Sequence, residues 1–259
     1  MLPPALRQPG PELTELVERA YRVFDDYRSS GNLTVCHCGV CMTIEAEREL
    51  LRTPLRQISS GLLAEYTNSA HGWDDDAIAR EMRHFLPRYL ELIAHGDAPC
   101  SIGLATCLRR LADARWRETW PQIEVDVLDR YFDALLAFNT TRLELVHWPI
   151  GWRLEFDLAE NLTLVATAGG DIERALRAWD SAEDPAATIH MAAMRQDLVT
   201  KDGQPCLHSF FLERHPATSL AIGAFLARPL VSSRIERAFF AVEDERLQRI
   251  LSDGLAYAV

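Results

Sequence analysis

The sequence predicts an all-α protein built as an array of antiparallel helical hairpins, with an irregular α-solenoid as one form of that array. Apolar residues recur three and four positions apart along most of the 259-residue chain, which is the periodicity of amphipathic helices. Capping and helix-breaking residues separate these segments, and the connections are short, about two to eight residues. We expect a single domain over residues 1–259 with a cysteine-rich loop at 32–43.

The first half of the chain divides into helical segments of medium length. The first covers residues 12–27, where one stripe is apolar and the other face is charged. A second begins after Thr43, because a capping hydroxyl followed by acidic residues satisfies the amide groups of a helix start. Pro87 removes a backbone donor inside a long helix, so we expect a kink or a break there. Further segments are expected at 50–70 (one or two short helices), 73–95, 102–115 and 121–137.

Residues 143–158 are open to two interpretations. Strict alternation of apolar and polar residues over 152–158 is typical of a strand, and residues 148–151 suit a hairpin turn. Leu154, Leu158, Leu162 and Val165 nevertheless share one helical stripe. We favour a helix, and a short β-hairpin near 143–158 is the alternative. Later helices are expected at 171–179, 185–199, 216–227, 231–241 and 243–257.

The composition argues against several classes of partner. Lys and Arg number 27 and Asp and Glu 38, for a formal net charge of −11. Such a surface repels phosphate groups, so we expect neither nucleic acid nor membrane as a partner. Lys201 is the only lysine and lies in a predicted exposed turn, which argues against phosphate-loop and Schiff-base chemistry. No long apolar run and no signal-peptide pattern is present, so we expect a cytoplasmic protein.

One motif carries chemistry. Cys36, Cys38 and Cys41 place three thiols within six residues. In a Cys-x-x-Cys pair both sulfurs can reach one ion around a tight turn, and we expect Gly39 to permit the backbone angles of that turn. Cys36 adds a third ligand, and thiolates favour zinc in a tetrahedral structural role. The motif therefore predicts a structural zinc site.

The fourth zinc ligand is not evident from the motif. We consider His71, His84 and Cys100 as candidates, although His84 lies on the polar side of its predicted helix and His71 at a helix end. His37 is not expected to bind the same ion, because direct neighbours along the chain rarely converge. Cys100 and Cys107 lie seven residues apart, and we interpret them mainly as small buried residues of one helix face.

Two other kinds of thiol chemistry compete with zinc. A Cys-x-x-Cys pair can cycle between dithiol and disulfide, but the strand and helix arrangement of a thioredoxin-like unit is missing. The cysteine spacing also departs from the common iron–sulfur patterns. No hydrolase, metalloprotease, dinucleotide-binding or calcium-loop motif is present.

Three segments resemble a group of uncharacterised bacterial all-helical proteins that have a cysteine-containing loop near the N terminus. They are residues 36–41 (CHCGVC), 84–92 (HFLPRYLEL) and 235–240 (IERAFF). The resemblance implies an all-helical fold and a bacterial cytoplasmic setting, and it brings no activity with it.

We therefore expect a protein-interaction or scaffold module whose cysteine loop binds a structural zinc ion, with an unidentified protein as its partner. One alternative is a metal-dependent enzyme that uses the site of Cys36, Cys38 and Cys41 with an open fourth position. The other is a thiol redox switch. Whether the protein is an enzyme is left open by the sequence.

Overall fold

The computed structural model describes residues 8–29, 31–72, 74–149 and 151–256. Within these residues the predicted mostly helical class is confirmed, with thirteen α-helices and two antiparallel strand pairs. A repeat arrangement of the helices stays a prediction. The helices are α1 (Pro11–Val23), α2 (Ile44–Arg52), α3 (Ser60–Asn68), α4 (Asp75–Ala94), α5 (Arg110–Asp113), α6 (Trp116–Thr119), α7 (Gln122–Thr140), α8 (Leu158–Thr167), α9 (Ile172–Asp180), α10 (Pro185–Arg195), α11 (Pro216–Leu226), α12 (Pro229–Ala241) and α13 (Glu245–Ala256).

The chain packs as two compact units. Unit 1 comprises Met1–Leu135 and Thr167–Gly170, and unit 2 comprises Leu136–Ala166 and Asp171–Val259. Whether the two units together form one domain, as we expect for residues 1–259, stays a prediction. Among the residues described, no helix combines the length and the apolar character needed to cross a membrane.

Helix α4 forms the centre of unit 1. It packs against α1 and α5, and its apolar stripe is buried at Ile78, Met82, Phe85, Leu86, Tyr89, Leu90 and Ile93. Asp74 caps it by accepting a hydrogen bond from the amide of Ala77 at 3.0 Å. The helix runs through Pro87 to Ala94, so the expected break does not occur. Burial of Pro87 among these apolar residues stabilises the continuous helix in spite of the missing donor.

The starts of α2 and α3 follow the capping pattern, whereas one predicted helix is largely absent. Thr43 accepts a hydrogen bond from the amide of Ala46 at 3.1 Å, as its position before acidic residues predicts. The expected helix over 102–115 is replaced by a 3₁₀ turn at Leu104–Thr106 and by the four-residue α5. Gly103 has a φ of 119°, a value that no helix contains, so the chain turns sharply where the apolar spacing indicated a helix.

Unit 2 contains a β-hairpin where we favoured a helix. Strand β1 (Leu145–Trp148) pairs with β2 (Gly151–Leu154) in antiparallel register, and α8 begins only at Leu158. The helix that we favoured for 143–158 is therefore wrong for the residues before Leu158, and the hairpin alternative is confirmed. Gly151 has a φ of 130°, which a helix cannot accommodate, and the strict alternation was the stronger signal.

A second hairpin in unit 2 was not predicted. Strand β3 (Leu198–Lys201) pairs with β4 (Gln204–Leu207) around the turn residues Asp202 and Gly203, which have positive φ values of 53° and 75°. Helix α10 ends at Arg195, short of the expected residue 199. An Asp-Gly dipeptide between apolar runs is a strong hairpin signal, so the sequence contained the information needed to find this element.

Helix α10 lies in the core of unit 2. It packs against α12 and α13, and nine of its residues are buried. Gly254 of α13 comes so near α10 that a Cβ atom added there would lie 2.7 Å from the Cα of Ala192. A helix that is buried on most sides needs no polar face. This burial explains why the sequence of α10 lacks a clear amphipathic pattern.

Candidate metal centre

Three thiols converge in unit 1, in the loop between α1 and α2. The Sγ atoms of Cys36, Cys38 and Cys41 all lie within 4.8 Å of one another. In a tetrahedral zinc site with Zn–S bonds of about 2.3 Å, the sulfur atoms are about 3.8 Å apart. The sulfur positions are therefore compatible with binding of one ion by all three side chains.

The thiols are brought together by a tight turn. The amide of Cys41 donates a hydrogen bond to the carbonyl of Cys38 at 3.2 Å. Gly39 is not among the glycines with positive φ, so the expectation that its special backbone freedom permits the turn is wrong. No residue of the turn has a positive φ. The sulfur atoms lie close together because the three cysteines are only two and three positions apart in the sequence.

Buried side chains of the neighbouring helices hold the loop in place. The carboxylate of Glu47 in α2 accepts from the amide of Leu33 at 2.5 Å, and the carboxylate of Glu81 in α4 accepts from the amide of Thr34 at 2.6 Å. Both carboxylates are buried. Hydrogen bonds to a charged acceptor are stronger than neutral ones, so the segment that leads into the first cysteine is firmly placed.

The end of α3 holds the loop from another side. The carbonyl of Ala70 accepts from the amide of Cys36 at 2.7 Å, and the hydroxyl of Ser69 accepts from the amide of Met42 at 2.7 Å. Arg110 is buried and donates to the carbonyl of Ser69 at 2.9 Å and to the carbonyl of Tyr66 at 2.7 Å. The loop is thus attached to the core of unit 1 on both sides of the three cysteines.

The surroundings of the thiols alter their acidity. Hydrogen bonds from the backbone of Val40, and then from the thiols of Cys41 and Cys36, lower the pKa of Cys38 to about 7. The backbone of Ala70 lowers the pKa of Cys41, but the interaction with the Cys38 thiol and burial outweigh it, so the pKa of Cys41 is raised overall. The exposed Cys38 therefore has a lowered pKa, which favours the thiolate form that a metal ion would require near neutral pH.

The predicted fourth ligands do not join this group. His71 lies with Nε2 at 3.2 Å from a carboxylate oxygen of Asp113 and Nδ1 at 3.0 Å from the carbonyl of Gly72. His84 lies with Nδ1 at 3.1 Å from the carbonyl of Tyr27. The structure brings Cys36, Cys38 and Cys41 together, and in the part of the chain that it describes no histidine, acid or further cysteine completes a set of four.

The imidazole of His37 contacts Glu47 in α2. Its Nε2 lies 2.8 Å from the second carboxylate oxygen of Glu47, so this carboxylate holds both the loop entrance and the side chain next to Cys36. The supporting residues Glu47, Glu81, Ser69 and Arg110 were not predicted from the sequence. No sequence signal distinguished Glu47 from Glu45 and Glu49, because all three are acids on one short helix.

We expect replacement of Glu47 by alanine to weaken metal binding by the loop about 10-fold, the lower end of the effect of losing a group that orients a ligand directly, because Glu47 holds the loop rather than a ligand. The change leaves the amide of Leu33 and the imidazole of His37 without their shared acceptor. Competition with a chromophoric chelator measures the affinity. Glu49→Ala, an exposed position of the same helix, is the matched control, and equal affinities of the two variants would contradict the assigned role.

Unit 2 contains a cavity of about 360 Å³ between its first hairpin and α10, lined in part by Trp152, Phe156, Asp157, His190 and Asp197. Burial raises the pKa of Asp157, and burial together with the neighbouring Asp157 raises the pKa of Asp197. Burial lowers the pKa of His190 to about 4. The carboxyl groups therefore hold protons more readily than usual, and the imidazole holds one less readily.

No protein family, no curated protein and no solved structure matches the chain. The geometry of the three thiols and the residues that support them is therefore the basis for the functional argument.

Proposed function

We propose that the protein is a helical interaction module whose loop 32–43 binds one zinc ion through Cys36, Cys38 and Cys41. The observation that carries this proposal is the convergence of three sulfur atoms within 4.8 Å. Three thiolates are a donor set typical of zinc and other thiophilic ions. The ion acts structurally, because it joins residues at both ends of a short loop and fixes the turn between them.

The attachment of the loop supports a structural role. Glu47 of α2, Glu81 of α4 and Ser69, the residue directly after α3, accept hydrogen bonds from the backbone of this segment. A preformed site loses little conformational freedom when it binds the ion, so more of the binding free energy appears as stability of unit 1.

Exposed apolar side chains on the loop support a protein partner. The side chain of Val40, between the second and third cysteines, is 96% exposed, and Ile44 at the start of α2 is 48% exposed. The bound ion fixes the loop that presents Val40, so partner binding depends on metal binding. We place the protein in the bacterial cytoplasm, because zinc binding requires reduced thiols and that compartment keeps thiols reduced.

Metal analysis of untagged protein purified without chelators tests the zinc site. We expect about one equivalent of zinc, absent from a variant with all three loop cysteines changed to serine, and a lower melting temperature for that variant. Cys206→Ser, a buried position in unit 2, is the control and retains the metal. Wild-type protein that holds no metal although it was purified without chelators, and that melts at the same temperature as the triple variant, would overturn the proposal.

The partner surface is tested separately in a cross-linking experiment in cells. A partner that binds the zinc form is recovered with the wild-type protein and lost with Val40→Asp, which leaves the ligands intact. Recovery of the same partner with Val40→Asp and with the triple cysteine variant would show that this loop is not the binding surface.

A metal-dependent enzyme is the second candidate, favoured by the missing fourth ligand among the described residues and by the exposure of Cys38. An open position lets a metal ion hold water or substrate. Cobalt substitution distinguishes the two roles. A spectrum that changes on adding azide indicates an exchangeable solvent ligand, as an enzyme requires, whereas an unchanged spectrum indicates a closed structural site.

A further inference from the structure

The cavity of about 360 Å³ in unit 2 has the size and the lining of a site for a small molecule. Its apolar wall comes from the first hairpin, α10 and α13, through side chains such as Leu154, Met194 and Ile250. Trp148 of β1 and Trp152 of β2 line the same cavity and are 52% and 36% exposed. All of these residues belong to unit 2, whereas the cysteine loop belongs to unit 1.

Two carboxylates at this cavity form no ion pair with any residue that the structure describes. Asp157 and Asp197 both line the cavity and are accessible to solvent. Arg153 also lines it and attracts both carboxylates, but it donates no hydrogen bond to either of them. Burial and the charge of Asp157 together raise the pKa of Asp197, which is the expected effect of two carboxylates that lie near each other.

The backbone fixes both aspartates and leaves carboxylate oxygens free. The amide of Ala159 donates to one carboxylate oxygen of Asp157 at 2.8 Å, at the start of α8. The amide of Asp197 donates to the carbonyl of Met194, and the carbonyl of Asp197 accepts from the amide of His208, each at 3.1 Å. The second oxygen of Asp157 and both oxygens of Asp197 accept no hydrogen bond from the described residues. These oxygens are therefore available to the N–H donors of a ligand.

His190 adds a buried acceptor to the cavity that it lines, since it is only 1% exposed. Its Nε2 lies 2.7 Å from the carbonyl of Arg142, and a carbonyl only accepts, so Nε2 carries the proton. Burial lowers the pKa of His190 to about 4, so Nδ1 is unprotonated at neutral pH. In the part of the chain that the structure describes, no donor contacts Nδ1. A buried acceptor without a donor is unfavourable, and a bound ligand with N–H groups satisfies it.

We propose that this cavity binds a small organic cation, an ammonium or amidinium group on an apolar body. Among the described lining residues, three carboxylates (Glu155, Asp157, Asp197) and one guanidinium (Arg153) give a formal charge of −2. The cationic group donates hydrogen bonds to Asp157, Asp197 and His190, and its charge offsets the repulsion between the two aspartates. The apolar body lies against the aliphatic wall and the tryptophan rings, which also attract cations.

Calorimetric titration of the full-length protein at neutral pH with benzylamine and benzamidine tests the proposal. Two probes with the same ring make the result specific, because benzyl alcohol lacks the charge and benzyltrimethylammonium keeps the charge without an N–H donor. We expect saturable binding of benzylamine or benzamidine with a Kd of about 1 mM or lower. Binding of the other two probes is expected to be at least about tenfold weaker. Failure of both N–H cations to saturate the protein, or equal affinity for benzyl alcohol or benzyltrimethylammonium, would overturn the proposal.

Asp157→Asn and Asp197→Asn locate the site. Each removes one negative charge, and asparagine at 157 still accepts from the amide of Ala159, so we expect folded variants that bind the cation about tenfold more weakly. Thermal unfolding without ligand checks the fold, and Asp197→Asn is expected to be at least as stable as the wild-type protein because the repulsion is gone. Asp202→Asn, an exposed turn position of the second hairpin, is the control with wild-type affinity. Equal affinities of Asp197→Asn and Asp202→Asn would show attraction to the overall negative charge only, and would contradict a site in this cavity.

Discussion

Replacement of Arg110 by methionine is expected to lower the free energy of unfolding of unit 1 by about 3 kcal/mol. The guanidinium is buried, donates to the carbonyls of Tyr66 and Ser69, and lies 4.1 Å above the ring of Tyr66. Hydrogen bonds from a charged donor contribute about 1.5–3 kcal/mol each. Methionine keeps much of the volume and avoids burial of a charge, which offsets part of the loss. Chemical denaturation followed by tryptophan fluorescence measures the change.

Two further variants make this result specific. Arg48→Met changes an exposed arginine of α2, and we expect an effect within about 0.5 kcal/mol. Arg110→Lys keeps the charge but not the planar group that reaches two carbonyls at once, so partial loss is expected. If Arg110→Met were as stable as Arg48→Met, the buried guanidinium would not be a main support of this region.

The same substitution is expected to weaken metal binding. Arg110 fixes Ser69, whose hydroxyl accepts from the amide of Met42 next to the third cysteine. A loop that moves more freely loses more conformational entropy when it binds the ion. Metal affinity and stability of unit 1 therefore fall together in Arg110→Met.

Gly223→Ala is expected to destabilise unit 2 by about 3 kcal/mol or more. A Cβ atom at this position of α11 would lie 2.6 Å from the Cα of Cys206 and closer still to the carbonyl group of Pro205. Both neighbours are backbone of β4, so no side chain can rotate away and the helix must move off the strand. Overpacking costs about 1–3 kcal/mol and sometimes more, which exceeds the gain of about 0.5–1 kcal/mol from replacing a helical glycine. Thermal unfolding measures the net loss.

Gly61→Ala is the matched control, because Gly61 lies in α3 and a Cβ atom added there would have no heavy atom within 4 Å. We expect unchanged or slightly higher stability there. Gly254→Ala, whose Cβ would approach the backbone of Ala192 to 2.6 Å, is expected to behave like Gly223→Ala. If Gly223→Ala were as stable as Gly61→Ala, the close packing of α11 on β4 would be refuted.

Much of the helical architecture was predictable because its signals are local. The stripe from Ile78 to Ile93 and the cap at Thr43 are properties of neighbouring residues, and the corresponding elements are present. The hairpin around Asp202 and Gly203 was also predictable, since the Asp-Gly turn is local. The helix favoured within 143–158 is replaced by a hairpin, because periodicity alone does not distinguish helix from strand in short apolar runs.

The sequence by itself determined that the chain is mostly helical and that Cys36, Cys38 and Cys41 lie close together, since residues so near along the chain cannot separate far. Only the tertiary structure decided that Glu47, rather than Glu45 or Glu49, holds the cysteine loop, and that the chain turns sharply at Gly103, so that Cys100 and Cys107 do not share the helix face that their spacing predicts. The physical reason is that burial and hydrogen bonding between distant segments depend on how helices pack, and helix packing is not a property of any local stretch of sequence.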